Sequence, residues 1–418
     1  MAGLGDTRQP LGGGQGLPGD GRYAQHPLRI AMVGTRGVPA RYGGFETCVE
    51  EVGVRLAKRG HDVTVYCRRP RSGDDEQPRV HRGMRLVHLP AVRKRSLETL
   101  SHTALSVAHL AAHPVDVALV FNSANAPLLP AVRARRIPVA THVDGLEWQR
   151  AKWGPTGQRY YRRAEALAVR WSHALIADAV GIADYYRQRF GVDTTLLSYG
   201  APIVDGGGDA AALAAIGLQP RGYHLAVARF EPENHLDVVV EGYVASGARK
   251  PLVVVGSAPY SDAYTAHVRS LGDDRVRFLG GVWDQYLLDQ LYAGSFTYLH
   301  GHSVGGTNPS LLRAIGASAS PLLYDVGFNR EVAADAGRYW STAQDVRDLV
   351  EAAEADPAGT AGRGRAARHR ATLYDWDDVA DGYEQLCLRL AARGAPRAGG
   401  PPGARPRSPE HEEGGRSS

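Results

Sequence analysis

Four short runs in this chain hold residues whose types and spacing suit the grip of a phosphorylated ligand. In the run His302-Ser303-Val304-Gly305-Gly306-Thr307-Asn308, the last residue precedes Pro309 and the stretch Ser310-Leu-Leu-Arg-Ala-Ile315. Asn favours the N-cap and Pro the first helical position, so a helix is expected to begin there. Its free N–H groups would open onto two glycines, a mouth that binds phosphate through backbone donors and the helix dipole. A capped helix that binds nothing is the simpler alternative, but it leaves the two glycines and the His302/Ser303 pair without a reason.

The second run is Gly34-Thr-Arg-Gly-Val-Pro-Ala-Arg-Tyr-Gly-Gly-Phe-Glu46. Gly34, Gly43 and Gly44 would let backbone approach a ligand ahead of a helix, with Arg36 and Arg41 adding charge. The glycine spacing fits neither the dinucleotide fingerprint nor a Walker loop, and a tight strand-to-helix turn is the competing explanation. The third run, Thr141-His142-Val-Asp144-Gly-Leu-Glu-Trp148, ends an apolar strand, and residues two apart on a strand share a face. His142 and Asp144 could there hold the hydroxyls of a sugar, or His142 could be a histidine satisfied within the fold. The fourth, Val227-Ala-Arg229-Phe-Glu-Pro-Glu233-Asn234-His235, sets Arg229 at another strand end. Its planar guanidinium could bind a diphosphate in bidentate fashion, or pair with Glu231 or Glu233.

The elements that must position these runs can be read from hydrophobic period. Strands are expected at Ile30–Val33, Asp62–Tyr66, Val115–Phe121, Pro138–His142 and Ala174–Asp178, with a helix from Phe45 to Lys58 ended by Gly60. A second set begins at His224–Ala228 and continues at Leu252–Gly256, Val276–Leu279, Phe296–His300 and Pro321–Tyr324. Strands alternating with helices imply α/β folding with parallel sheets covered on both faces. Two such sets give two doubly wound, Rossmann-like domains, assigned to residues 28–198 and 223–375 and joined by a linker at 199–222. Ligands in such sheets lie beyond the carboxyl ends of the strands, which puts the four runs at a cleft between the domains. Residues 1–27 and 393–418, rich in Gly, Pro, Arg and Ser, read as disordered tails.

The charge supports the division. The chain of 418 residues carries +5 overall, but Leu28–Gly200 holds 26 Lys and Arg against 15 Asp and Glu, and Ala201–Leu390 holds 16 against 24. Basic clusters at Arg68-Arg69-Pro-Arg71, Arg93-Lys94-Arg95 and Arg133-Ala-Arg135-Arg136 could face an anionic membrane surface or a phosphorylated acceptor, or be a solvated arginine-rich surface. Cys48, Cys67 and Cys387 lack metal-ligand or redox spacing, so free thiols in a reducing compartment and no metal site are expected. No stretch approaches the ~18–20 apolar residues of a membrane span, and the N-terminus is Gly-rich where a signal peptide would be apolar. A cytoplasmic protein is expected, with no nucleic acid among its partners.

Taken together, Gly34–Glu46, Asp144–Trp148, Arg229–Asn234, Gly301–Leu312 and Asp325-Val-Gly-Phe-Asn-Arg-Glu331 resemble the family-4 retaining glycosyltransferases, and most of all the rhamnosyltransferase-like branch of bacterial polysaccharide assembly. The resemblance runs from about Leu28 to Leu390. It implies a GT-B fold, a nucleotide-diphosphate sugar donor on the C-terminal domain and a saccharide or lipid-linked acceptor on the N-terminal one. No cofactor or metal is implied, and the helix Trp376–Leu390, within a segment 376–392, would return to the N-terminal domain. Arg229 and the N–H groups after Asn308 would then stabilise the departing diphosphate, with His142 at the donor sugar and Asp144 orienting hydroxyls. Glu233, Asn234, His302, Ser303, Gly305, Gly306, Thr307 and Arg313 would line the donor site with Gly34, Gly43 and Gly44.

Two departures from the family pattern stand out. The usual pair of Glu seven residues apart is Gly305 and Arg313 here, and a second basic residue beside the diphosphate falls at Asn234. An Arg in the first turns of a helix opposes the dipole unless an anion lies nearby, so Arg313 either meets a phosphate or marks reduced activity. A non-catalytic GT-B protein that binds nucleotide-sugar or a partner transferase is therefore the alternative to an enzyme.

Overall fold

The computed structural model describes residues 27–40, 43–69, 77–92, 98–143, 145–150, 153–205, 207–257 and 262–394. Asp144, Arg41, Arg71 and the cluster Arg93-Lys94-Arg95 lie outside the described residues, as do nearly all of the two expected tails. The first half forms β1 (Arg29–Val33), β2 (Asp62–Arg68), β3 (Val80–His81), β4 (Met84–Leu89), β5 (Val117–Phe121), β6 (Val139–His142), β7 (Ala174–Ala177) and β8 (Thr195–Leu196). They hydrogen-bond in the order β3-β4-β2-β1-β5-β6-β7-β8. Only β3 is antiparallel to its neighbour, pairing His81 with Met84 in a hairpin. The second half forms β9 (His224–Val227), β10 (Leu252–Val255), β11 (Val276–Gly280), β12 (Thr297–His300), β13 (Ser320–Tyr324) and β14 (Arg338–Trp340). Their order β11-β10-β9-β12-β13-β14 is wholly parallel.

The residues explain the layering. In β1, Ile30 and Met32 join one apolar cluster while Ala31 and Val33 join another, so each face of the sheet has its own cover. Strands buried on both faces read as continuous apolar runs, as Val-Ala-Leu-Val-Phe in β5 does. Four strands escape that reading. Met84–Leu89 carries Arg85 and His88 and has no apolar run, yet it pairs in parallel with β2 from Thr64↔Arg85 to Arg68↔Leu89. Val80–His81, Thr195–Leu196 and Arg338–Trp340 are too short to carry a period at all.

In each sheet the strand order reverses once, between β1 and β5 and between β9 and β12. Loops that leave the carboxyl ends of such a pair part in opposite directions and open a crevice. The chain passes between the halves near residues 199–202 and again near 374–376, and the two crossings touch. The Ala201 N–H donates to the Tyr374 carbonyl at 2.6 Å, and a Cβ on Gly200 would lie 2.3 Å from the Trp376 ring. Helix Trp376–Gly394 then lies along helix Gly44–Lys58. Arg55 meets Asp377 at 2.6 Å, and Arg59 meets Asp381 at 2.6 Å and Glu384 at 2.7 Å. Cys48, Cys67 and Cys387 are free and buried, and among the described residues no helix is long and apolar enough to cross a membrane.

Candidate active site

The two crevices face each other across a cleft of about 940 Å3. One wall is the loop after β1 and the start of helix Gly44–Lys58; the other is the loops after β9 and β12 and the start of helix Pro309–Gly316. A Cβ on Gly44 would meet Pro309 at 3.4 Å, so the amino ends of these two helices confront one another. Both ends carry positive partial charge.

The mouth of helix Pro309–Gly316 is built as its residues dictate. The Asn308 side chain accepts from the Ser310 N–H at 2.9 Å, and Pro309 takes the first position. Gly305 adopts φ +134°, open to glycine alone, and a Cβ on Gly306 would lie 1.9 Å from the Asp178 carboxylate. The Thr307 hydroxyl donates to the Asp178 carbonyl at 2.7 Å, and a Cβ on Gly145 would strike the Gly305 backbone at 2.5 Å. The glycines thus serve close passage between the loops of the two halves, as well as an open helix end.

Arg229 leaves β9 into this cleft. Among the described residues its guanidinium makes no hydrogen bond and no ion pair with Glu231 or Glu233. Burial among the cleft walls, and the nearby Arg150, pull its pKa below the ordinary arginine value, with Glu147, Glu233 and Glu231 opposing. Glu233 is taken by Arg150 at 3.3 Å, and Arg150 also binds Glu147. Arg150 and Glu147 come from the loop after β6, so a second guanidinium reaches the cleft from the opposite half. Sequence reading did not single out Arg150; its signal was a cation two residues beyond Trp148, in a loop with no period to place it.

Asn234, His302 and Ser303 join the loops after β9 and β12. The Asn234 amide donates to the Arg229 carbonyl at 2.8 Å, so its carbonyl oxygen accepts from His302 Nδ1, also at 2.8 Å. The Ser303 hydroxyl and N–H both donate to the Glu233 carbonyl at 3.0 Å. His302 is buried, which with the cations Arg150 and Arg229 nearby holds its pKa well below the usual value and keeps the ring neutral. Gly34 lines the far wall, where a Cβ would lie 2.3 Å from the Phe121 carbonyl, and Gly43 at φ +113° precedes the helix.

Two site residues stand differently from the sequence reading. His142, expected at the sugar, lies beneath the cleft, 1% exposed, among the rings of Phe45, Phe121, Tyr199 and Tyr383. Its Nδ1 is bonded to the Tyr383 hydroxyl at 3.1 Å, its Nε2 has no partner among the described residues, and burial pulls its pKa down to about 3. Arg313 was read as a cation in the first turns of its helix. The helix ends at Gly316, so Arg313 falls in the last turn, where the dipole favours it. It is also paired, with Nε 2.6 Å from Asp289 and Nη1 donating to Gln285 Oε1 at 3.0 Å. Among the described residues no group of three or more His, Cys, Asp or Glu is placed to hold a metal ion.

Comparison with known proteins bears on the fold. Residues 43–200 match the Glycosyl transferase 4-like domain. No curated protein matches the chain in sequence. Among solved structures, it is similar to a sucrose-phosphate synthase from Thermosynechococcus elongatus, at 19% identity and TM-score 0.74, over 88% of this chain and 100% of that one. It is also similar to Anabaena HepE in complex with UDP, at 15% identity and TM-score 0.68, over 87% and 100%. An alpha,alpha-trehalose 6-phosphate synthase from Burkholderia multivorans superposes at TM-score 0.64, with 14% identity over 88% and 98%. At these identities the likeness is one of fold. The two facing parallel-sheet domains are the GT-B arrangement, and the family match falls on residues 43–200, within the first of them.

Proposed function

We propose that this chain is a glycosyltransferase that moves a sugar, rhamnose being the reading of its motifs, from a nucleotide-diphosphate donor to a saccharide or lipid-linked acceptor with retention, in cell-surface polysaccharide synthesis. The observation that carries the reading is Arg229, unpaired in a cleft beside the capped amino end of helix Pro309–Gly316. A guanidinium without a carboxylate partner and a set of backbone N–H groups converge there on one volume, the arrangement a departing diphosphate demands. The matched domain at residues 43–200 and the UDP held by HepE support a nucleotide-sugar donor. Glu233, Asn234, His302 and Ser303 fix the loop that carries Arg229. Arg150 adds charge from the acceptor side, and Gly305 and Gly306 let the two halves close.

The same cleft supports a second reading, a GT-B protein that binds nucleotide-sugar without turning it over. Arg313 favours it, because its guanidinium is already engaged by Asp289. Calorimetric titration with a panel of nucleotide sugars, followed by transfer and hydrolysis assays on each donor that binds, separates the two. Turnover lost in Arg229→Ala supports the enzyme. Donor binding with no turnover on any acceptor supports the binding protein, and no binding of any nucleotide sugar defeats both.

A further inference from the structure

At the amino ends of β6 and β7, the end of the first sheet opposite the cleft, lies a pocket of about 280 Å3. It is lined by Arg133, Arg136, Pro138, His173, Leu390 and Arg393. Four of these six can carry positive charge, and no carboxylate is among them. Among the described residues Arg133, Arg136 and Arg393 form no ion pair. Arg133 spends one nitrogen on the Trp171 carbonyl at 3.1 Å and sits over the Trp171 ring, which leaves the rest of its donors unspent. His173 Nδ1 accepts the Val139 N–H at 3.0 Å, so the neutral ring bears its proton on Nε2 and is a donor without any charge change.

Arg136 holds φ +58°, in the left-handed region that Asn or Gly takes at less cost. One feature sets this cluster apart from a solvated basic patch. Arg393 comes from the far end of the chain, on helix Trp376–Gly394, and joins residues more than two hundred positions earlier. Gathering guanidiniums with no acid between them costs free energy that a bound anion returns.

We propose that this pocket binds a phosphate-class anion through Arg133, Arg136, His173 and Arg393. The ligand is either a free phosphate group or the phosphate of an anionic lipid headgroup. Its occupancy ties the last turn of helix Trp376–Gly394 to the first sheet, and the first residue of that helix, Trp376, lines the cleft. The proposal stands independently of the donor reading.

The test uses the full-length protein and an Arg136→Gly/Arg393→Gln double variant, whose positions are exposed and whose glycine relieves the left-handed strain. Binding of inorganic phosphate is measured by calorimetry, and binding to vesicles of phosphatidylglycerol in phosphatidylcholine, or of phosphatidylcholine alone, by co-sedimentation. Each guanidinium removed is expected to weaken binding about tenfold. Loss of phosphate affinity alone identifies a free anion as ligand; loss of binding to the anionic vesicles alone identifies a headgroup. A parent protein that binds neither probe, or a double variant that binds both as tightly as the parent, overturns the proposal. Should the double variant melt early, Arg393→Gln alone serves in the same comparison.

Discussion

At the scale of single residues, the site separates side chains that are spent from those that are not. Glu233 is committed to Arg150, and Asn234, His302 and Ser303 are committed to one another or to backbone, whereas the Arg229 guanidinium is not. Arg229→Ala is therefore expected to lower turnover by about 10²–10³-fold, the size of effect seen when a donor to developing negative charge is removed, with the thermal midpoint little changed. A loss below tenfold would count against a diphosphate at this point. Arg313 is spent on Asp289, and both side chains are partly exposed. Arg313→Glu would set two carboxylates together on the cleft wall, and donor affinity is expected to fall several-fold as like charges gather near the phosphates. Unchanged affinity and turnover would show the position to be silent.

At the scale of elements, two contacts join what the chain separates. The loop Gly305–Thr307 passes Gly145 and Asp178 so closely that a Cβ on Gly306 or on Gly145 would not fit. Gly306→Ala is expected to hold the two loops apart, raising the donor KM and lowering kcat while the urea midpoint stays near that of the parent. A variant with parental kinetics would mean the loops need not meet during turnover. The second contact is Tyr383, whose hydroxyl carries the last helix to His142 at 3.1 Å and to Cys48 at 3.5 Å. Tyr383→Phe strands a buried ring nitrogen and is expected to cost about 1–3 kcal/mol, read as a lower urea midpoint. An unchanged midpoint would mean that hydrogen bond contributes nothing net.

At the scale of the whole molecule, buried histidines tie stability to pH. Burial pulls His142 and His300 down to about 3, and His102, with Arg68 close by, down to about 4. These values lie below the ordinary 6.5, so the unfolded chain binds protons that the folded one refuses. Their contribution is whole above pH 6.5 and is lost as pH falls toward the folded values, by roughly 1 kcal/mol per pH unit for each ring. Glu354 acts in the same direction. Burial alone would raise it, but His224 and the Arg249 and Lys250 N–H groups draw it down to about 2, so its share is lost below about 4.5. Urea midpoints measured from pH 7 to pH 4 are expected to fall steeply below 6.5; a flat profile would contradict the burial of these rings.

Read alone, the residues determine whatever depends on neighbours along the chain. The alternation of apolar runs marks ten of the fourteen strands among the described residues, and Asn308-Pro309 marks a helix start, because strand burial and capping are set within a few residues. Met84–Leu89 was not legible, since its place in the sheet comes from pairing with β2 and not from its own composition. Only the tertiary structure decided which partner each polar side chain takes. Arg150 reaches Glu233 across 83 positions, Arg313 turns to Asp289, and His142 is sealed under aromatic rings by a helix that begins more than two hundred residues later. The basic pocket likewise exists only once residues 133 and 393 are brought together. Ion pairs and desolvation depend on distance in space, and no spacing along the sequence encodes that.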